Sequence, residues 1–329
     1  MNLIEVRGLT KRFGQHLAVD NVSFDVKKGE IFGLLGPNGA GKTTTIRCLL
    51  TLFRPSSGTA LVSGIDILAD PQGVRQISGY VPQEISVDGD LTAYENLSFY
   101  AKLFRVPRAV RKKRIEEVLY SMELADRAGD LVKTFSGGMM RRLEISQVMV
   151  NRPRAIFLDE PSIGLDPMAR RTVWTYVRRL REEIDSTILI TTHDMNEADA
   201  LCDRVAIMHG GKIAIIGPPA ELKSGLGGDV VTVVSSSPHC PEVLTRMGFE
   251  PVSGTGGGSC DLVVRDGDTE LPRILDGLKA SGVVVKAASI KRATLDDVFL
   301  RYAGQRLDQE GKEWQSVRRS RRNLRRLTK

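Results

Sequence analysis

The 329-residue sequence predicts an α/β fold: a mixed sheet flanked by helices, carrying an inserted helical lobe and followed by a small α+β C-terminal domain. Three observations carry that reading. Short apolar runs of strand length, bounded by Gly, Asp or Thr, alternate with helical patterns up to about residue 217. A glycine-rich turn follows the first of these buried runs and opens a helix. After Gly217-Pro218-Pro219 the texture changes to a β-α-β-β-α-β order, as in a split βαβ domain.

Ile31–Leu35, Ala155–Leu158 and Ser186–Ile190 read as buried strands, since continuous apolar runs this short fit a sheet covered on both faces. Thr43–Leu52 and Met139–Val150 read as helices. Residues of about 90–150 form the lobe, where Leu97, Ala101 and Phe104, then Ile115, Val118 and Leu119, keep helical spacing. In the C-terminal part, strands are expected at Val230–Val234, Phe249–Val252, Leu262–Val264 and Val283–Ala287, and helices at Pro241–Met247 and Glu270–Ala280. The Gly-rich segment Ser253–Ser259 is the turn between the middle strands. A closing helix, Leu295–Tyr302, places Leu295, Val298, Phe299 and Tyr302 on one face. The expected division is a domain at 1–220, a ferredoxin-like domain at 229–304 and a basic tail at 305–329.

The net charge of +7 raises nucleic acid or an anionic membrane as partners. Its placement removes that default. Residues 301–329 carry ten Lys and Arg against three Asp and Glu, which leaves 37 of each sign in the rest of the chain. The tail is basic and the body is neutral. Its first dozen residues include charges and no apolar core of a secretory signal, and no stretch approaches the roughly 18 apolar residues of a membrane span. Membrane work is therefore expected to need another polypeptide. Cys48, Cys202, Cys240 and Cys260 lack CxxC spacing and read as buried thiols in a reduced cytosol.

Gly36-Pro37-Asn38-Gly39-Ala40-Gly41-Lys42-Thr43-Thr44 fits the GxxxxGK[ST] pattern of a P-loop NTPase core between a strand and a helix. Glycines at 36, 39 and 41 let backbone N–H groups wrap an anion at a helix N-terminus. Lys42 reaches the β- and γ-phosphates, and the Thr43 hydroxyl suits Mg²⁺. Four apolar residues, Ala155 to Leu158, deliver Asp159 and Glu160 at a strand's carboxyl end, where open α/β sheets bind ligands. Asp159 suits Mg²⁺ and Glu160 the attacking water. Alone, a strand ending in Asp-Glu is more often a solvated strand end than a catalytic pair. Beside the cradle they read as a nucleotide-hydrolysing pair.

The order of Gly36–Thr44, Gln83, Ser136-Gly137-Gly138, Asp159-Glu160, Gly164-Leu165-Asp166 and His193 resembles the ATP-binding cassette family over the first 220 residues. The resemblance implies an ATP- and Mg²⁺-dependent ATPase that pairs head to tail as a homodimer. Ser136, Gly137, Gly138 and Asp166 of one copy would then cap the nucleotide on the cradle of the other. It also implies Gln83 as the hinge to the helical lobe and a sensor of Mg²⁺ and water, His193 as the switch that positions Glu160, and Phe13 as the aromatic stacked on adenine. Core packing is the rival reading of Phe13. The chain departs from the family's usual LSGGQ in Phe135 and Met139, and has Ser162 where Thr is usual. Met cannot hydrogen-bond as Gln does, which puts the contact at 139 in question.

Neither a long coiled-coil insertion nor a second cassette is present in this sequence. That combination resembles the energising subunit of an exporter whose transmembrane permease is a separate polypeptide. The run Leu295-Asp296-Asp297-Val298-Phe299-Leu300 resembles the closing segment of daunorubicin-resistance export ATPases. The expected place is cytoplasmic, peripheral on the inner face of the cell membrane. The expected cargo is a drug, antibiotic or other hydrophobic or amphipathic compound. The alternative class is a soluble regulatory or nucleic-acid-associated cassette ATPase, although nucleic acid is not the expected partner. Trp314, Val317, Leu324 and Leu327 are spaced for one helical face, so the tail at 305–329 would lie on an anionic membrane surface, lie on a permease loop, or be solvated.

Overall fold

β1 (Asn2–Phe13) and β2 (His16–Lys27) pair antiparallel and begin a sheet that the sequence pattern did not announce. Register shifts at Val6/Leu9, Leu9/Lys11 and Lys11/Arg12 break the alternation by which a strand is recognised. The computed structural model describes residues 1–225, 228–253 and 259–302. Most of the Ser253–Ser259 turn and the expected helical face at 314–327 lie outside the described residues, as does the rest of the tail.

The elements continue with β3 (Ile31–Leu35), α1 (Lys42–Leu49), β4 (Ser57–Val62), β5 (Ile65–Asp66), α2 (Pro71–Ile77) and β6 (Ser78–Val81). The lobe follows as α3 (Ala93–Leu103), α4 (Arg108–Ser121) and α5 (Gly137–Asn151). Next come β7 (Ala155–Asp159), α6 (Pro167–Ile184), β8 (Thr187–Thr192), α7 (Met195–Leu201), β9 (Arg204–His209) and β10 (Lys212–Gly217). β2-β1-β4-β5 form the antiparallel sheet, and β10-β9-β3-β8-β7-β6 the second. In the second, β9, β3, β8, β7 and β6 are parallel and only β10 runs the other way. That is the mixed sheet the sequence predicts, with β3 and β7 buried at every position.

α1 lies at the centre of the core. Ile46, Cys48 and Leu49 belong to one apolar cluster with Ile4, Val6 and Val19 of the first sheet and Phe32, Phe157 and Met208 of the second. Phe24 and Phe32 stack across the two sheets, with ring centroids 5.3 Å apart. α1 is shorter than the expected Thr43–Leu52. Thr51 turns to a positive φ of 61°, and the N–H groups of Leu52 and Phe53 both return to the Arg47 carbonyl. α5 begins two residues earlier than expected, because the Ser136 side chain caps it. Gly137 and Gly138 are therefore its first turn.

The second unit begins at Pro218. It holds α8 (Pro219–Ser224), β11 (Asp229–Ser235), α9 (Cys240–Arg246), β12 (Val252–Ser253), β13 (Ser259–Val264), α10 (Gly267–Ala280) and β14 (Val285–Lys291). Its sheet runs β14-β11-β13-β12 with antiparallel neighbours throughout. The core joins Val231, Val233, Leu244, Leu262, Ile274 and Leu278. Phe249 lies in the turn after α9, where its N–H donates to the Leu244 carbonyl, so the expected strand there shrinks to Val252–Ser253. β14 starts two residues later than expected because Val283 is a core residue ahead of the strand. The closing helix occupies 295–302 and buries Leu295 and Val298. All four cysteines are buried and unbridged, and burial pushes the Cys48 thiol up to about 11.

Candidate nucleotide site

The cradle forms where buried β3 ends and α1 begins. No side chain caps the N-terminus of α1, so its first N–H groups are free to bind an anion. Two glycines are required by the surrounding backbone. A Cβ at Gly36 (φ 152°) would sit 2.2 Å from the Met208 carbonyl oxygen, and one at Gly41 (φ 100°) 2.4 Å from that of Ala18. Lys42 is buried, with Nζ donating to the carbonyls of Gly36 (2.8 Å) and Pro37 (3.2 Å) and pairing with Glu160 Oε1 at 3.1 Å.

β7 delivers the carboxylates and β8 the threonine that holds them. The hydroxyls of Thr43 and Thr191 both donate to Asp159 Oδ1, at 2.9 and 2.6 Å. The Tyr80 hydroxyl stands 3.4 Å from Oδ2. Glu160 takes a positive φ of 49°, uncommon outside glycine. Its N–H donates to Thr191, both the carbonyl (3.1 Å) and Oγ1 (3.0 Å). Its carboxylate therefore lies between Lys42 on one oxygen and His193 Nδ1, 2.9 Å away, on the other. Thr191 thus fixes both acids. Sequence reading named neither Thr191 nor Tyr80, because each depends on a neighbouring strand for its partner.

A cleft of about 260 Å³ is lined by residues 38–44, Gln83 and Glu160, together with His16 and Ala18, which the sequence reading also missed. Phe13 does not line it. Phe13 is 43% exposed at the end of β1, edge-on to Phe53, and its cross-strand partner is the His16 of the cleft. Core packing therefore does not account for it.

Ser136 and Gly137 are exposed at the start of α5, and neither lines the cleft. Ser136 Oγ accepts the Met139 N–H at 3.3 Å. Asp166 caps α6 alongside, accepting from the N–H groups of Met168 and Ala169 at 2.9 and 3.0 Å. A Cβ added at Gly137 would find only Leu165 Cδ2 at 3.9 Å, and one at Gly138 only Ala169 Cβ at 3.6 Å. Both are ordinary van der Waals distances. The chain's own fold therefore gives no steric reason for glycine at either position.

Beside His193, a smaller cavity is bounded by Ser162, Arg170 and the buried Glu197. Glu197 Oε1 accepts from Trp174 Nε1 at 2.9 Å, and burial raises its pKa.

A phosphate cradle on a mostly parallel sheet, with two carboxylates at the end of a single strand two places away in the sheet and a helical lobe between them in sequence, defines a nucleotide-hydrolysing cassette ATPase. The comparisons agree. Residues 19–163 match the ABC transporter family, and residues 217–303 match the C-terminal domain of DrrA1-3-like ATP-binding proteins. The chain is 35% identical over 305 residues to daunorubicin resistance ATP-binding protein DrrA3 of Streptomyces coeruleorubidus, covering 92% of this chain and 96% of that protein. It is 36% identical over 306 residues to Nod factor export ATP-binding protein I of Ralstonia nicotianae, covering 93% and 95%. A solved structure described as an ATP-binding subunit of an ABC transporter superposes with TM-score 0.62 at 28% identity, covering 68% of this chain and 93% of that one. The chain belongs to the ABC transporter ATP-binding subunits of the daunorubicin-resistance type, and it hydrolyses ATP.

Proposed function

We propose that this chain is the ATPase subunit of an exporter, working as a head-to-tail homodimer on the cytoplasmic face of the membrane beneath a separately encoded permease. Residues 1–220 are the nucleotide-binding domain and residues 229–304 a ferredoxin-like accessory domain. The cargo is a drug, antibiotic or other hydrophobic or amphipathic compound, a class suggested by relatives named for daunorubicin resistance and linearmycin resistance. Among the described residues no helix is long and apolar enough to cross a membrane. A permease partner would supply the crossing.

The observation that carries the proposal is the chain of contacts from Lys42 through Glu160 to His193. Backbone N–H groups of 38–44 cradle the phosphates, and Lys42 meets the negative charge that grows on the transferred group. Glu160 orients and deprotonates the attacking water, with His193 holding its second oxygen in place. Phe13, paired across strands with the His16 of the cleft, would stack on adenine. The hydroxyl of Thr43, the carboxylate of Asp159 and the amide of Gln83 are hard oxygen donors, which suits Mg²⁺. Among the described residues no group of three or more His, Cys, Asp or Glu could hold a metal. Mg²⁺ would thus take its remaining ligands from phosphate and water, and its chemistry there is to neutralise phosphate charge. Ser136, Gly137, Gly138 and Asp166 would cap the partner's nucleotide and exclude water.

Glu160→Gln tests the reading. It should keep ATP binding, accumulate an ATP-dependent dimer by light scattering and stop turnover. Undiminished hydrolysis would refute the role given to Glu160. Co-expression with candidate permeases, read as resistance to a panel of toxic compounds, tests the cargo.

A further inference from the structure

Two buried side chains of α5 hold the loop that carries Gln83. Arg141 and Glu144 stand three residues apart and are 3% and 1% exposed. Arg141 Nη1 donates to the Pro82 carbonyl at 2.7 Å and to Glu144 Oε2 at 2.8 Å, while Nη2 donates to the Gln83 carbonyl at 2.8 Å. Glu144 Oε1 accepts from the Ser86 N–H at 2.5 Å and from its hydroxyl at 2.8 Å. Burial works against the charge on both groups, and each partner's charge opposes that effect.

A buried ion pair is weak evidence for stability, since apolar side chains of similar volume often do as well. What this pair adds is register. It fastens the loop backbone at Pro82 and Gln83 on one side and at Ser86 on the other, leaving the Gln83 side chain at the nucleotide cleft. The same helix is capped by Ser136 and runs unbroken from Gly137 to Asn151. Arg141 lies about 7.5 Å along it from Ser136, at 1.5 Å per residue. A displacement of the capping turn therefore moves the clamp, and the clamp moves the loop.

We propose that Arg141 and Glu144 are positioning residues that transmit the placement of Ser136-Gly137-Gly138 to Gln83 of the same chain. Capping the partner's nucleotide then sets Gln83 at this chain's own cradle, which links the two ATP sites. The inference rests on the head-to-tail reading and on Gln83 acting in the cleft.

Arg141→Lys is the discriminating change. Lysine keeps a charge opposite Glu144 but cannot hold two successive carbonyls in one planar fork. In the full chain, kcat should fall about 10- to 100-fold with ATP KM within about twofold and the melting temperature retained. Ser86→Ala, which removes one bond at an exposed loop residue, should lower kcat by about threefold. Hydrogen exchange in the Glu160→Gln background reads the transmission directly. ATP should protect both 136–138 and 82–86 in that parent, and only 136–138 once Arg141→Lys is added. Unchanged kcat with protection kept at 82–86 would overturn the proposal. So would a kcat loss that merely follows a lowered melting temperature. Gln83→Ala is the reference: if it leaves turnover intact, the reading of Gln83 fails, and the clamp has nothing to position. Absence of ATP-dependent protection at 136–138 in the parent would remove the head-to-tail reading and the inference together.

Discussion

Gly137→Ala should separate what this chain needs to fold from what it needs to work. Gly137 is a first-turn residue of α5, and its φ is not among the positive values of the chain. A Cβ there meets nothing closer than Leu165 Cδ2 at 3.9 Å, an ordinary contact. Alanine is the better helix former by about 0.8–1.0 kcal/mol in a helix interior and by less at a terminus. The subunit should therefore keep its stability or gain about 0.5 kcal/mol in urea unfolding without nucleotide. Turnover should go the other way. If another copy's nucleotide packs against this turn, a methyl group at the approach displaces it, and kcat should drop by about 100-fold or more. Gly41→Ala is the contrast, since its Cβ would lie 2.4 Å from the Ala18 carbonyl oxygen at a φ of 100°. That change should cost about 1–2 kcal/mol of stability from backbone strain alone. Unfolding curves and steady-state ATPase rates on the same preparations decide both. Loss of more than about 1 kcal/mol in Gly137→Ala would refute the claim of free space, and undiminished turnover would refute the approach of a partner.

Thr191→Val keeps the shape of β8 but removes the hydroxyl bonded to Asp159 at 2.6 Å. Loss of a hydrogen bond to a buried carboxylate should cost about 2 kcal/mol by urea unfolding, with a kcat loss of at least about tenfold as Asp159 and Glu160 lose their common anchor. Lys42→Ala removes the cradle's buried ammonium, and filter binding should show ATP affinity weakened by about 10- to 100-fold. Glu197→Gln tests a buried acid. Because burial raises its pKa in the fold, its contribution to stability is fullest below the ordinary carboxylate range and is lost as pH rises through the raised value. The variant should gain stability relative to wild type at pH 8 and converge with it near pH 4, while an equal offset at both pH values would refute the shift.

The parts of the fold legible from sequence are those where burial is total. β3, β7 and β8 are covered on both faces, so each is apolar along its length and needs no knowledge of its neighbours. β1 was illegible for the opposite reason, since bulges break its two-residue alternation. The sequence announces β14 only as far as Ala287, because the outer half of this edge strand, Ala288-Ser289-Ile290-Lys291, has only β11 beside it and lacks the apolar density of a buried strand. Site residues followed the same division. Lys42, Thr43, Asp159 and Glu160 sit in local patterns whose chemistry can be read in place. Thr191, Tyr80, Arg141 and Glu144 look ordinary until the sheet and lobe bring Asp159 and the Gln83 loop against them.

Met139 stands where the family usually has a glutamine, which puts in question the contact that the missing amide would make. The geometry points elsewhere. The Ser136 hydroxyl accepts the backbone N–H of residue 139, a contact any side chain permits. The polar link from α5 to the Gln83 loop begins two residues later, at Arg141, and is doubled by Glu144 through Ser86. Met139→Gln should therefore change turnover by less than about threefold, well under the effect of Arg141→Lys in the same steady-state ATPase assay. A gain of tenfold or more would place the missing connection at residue 139 and take the clamp out of the argument.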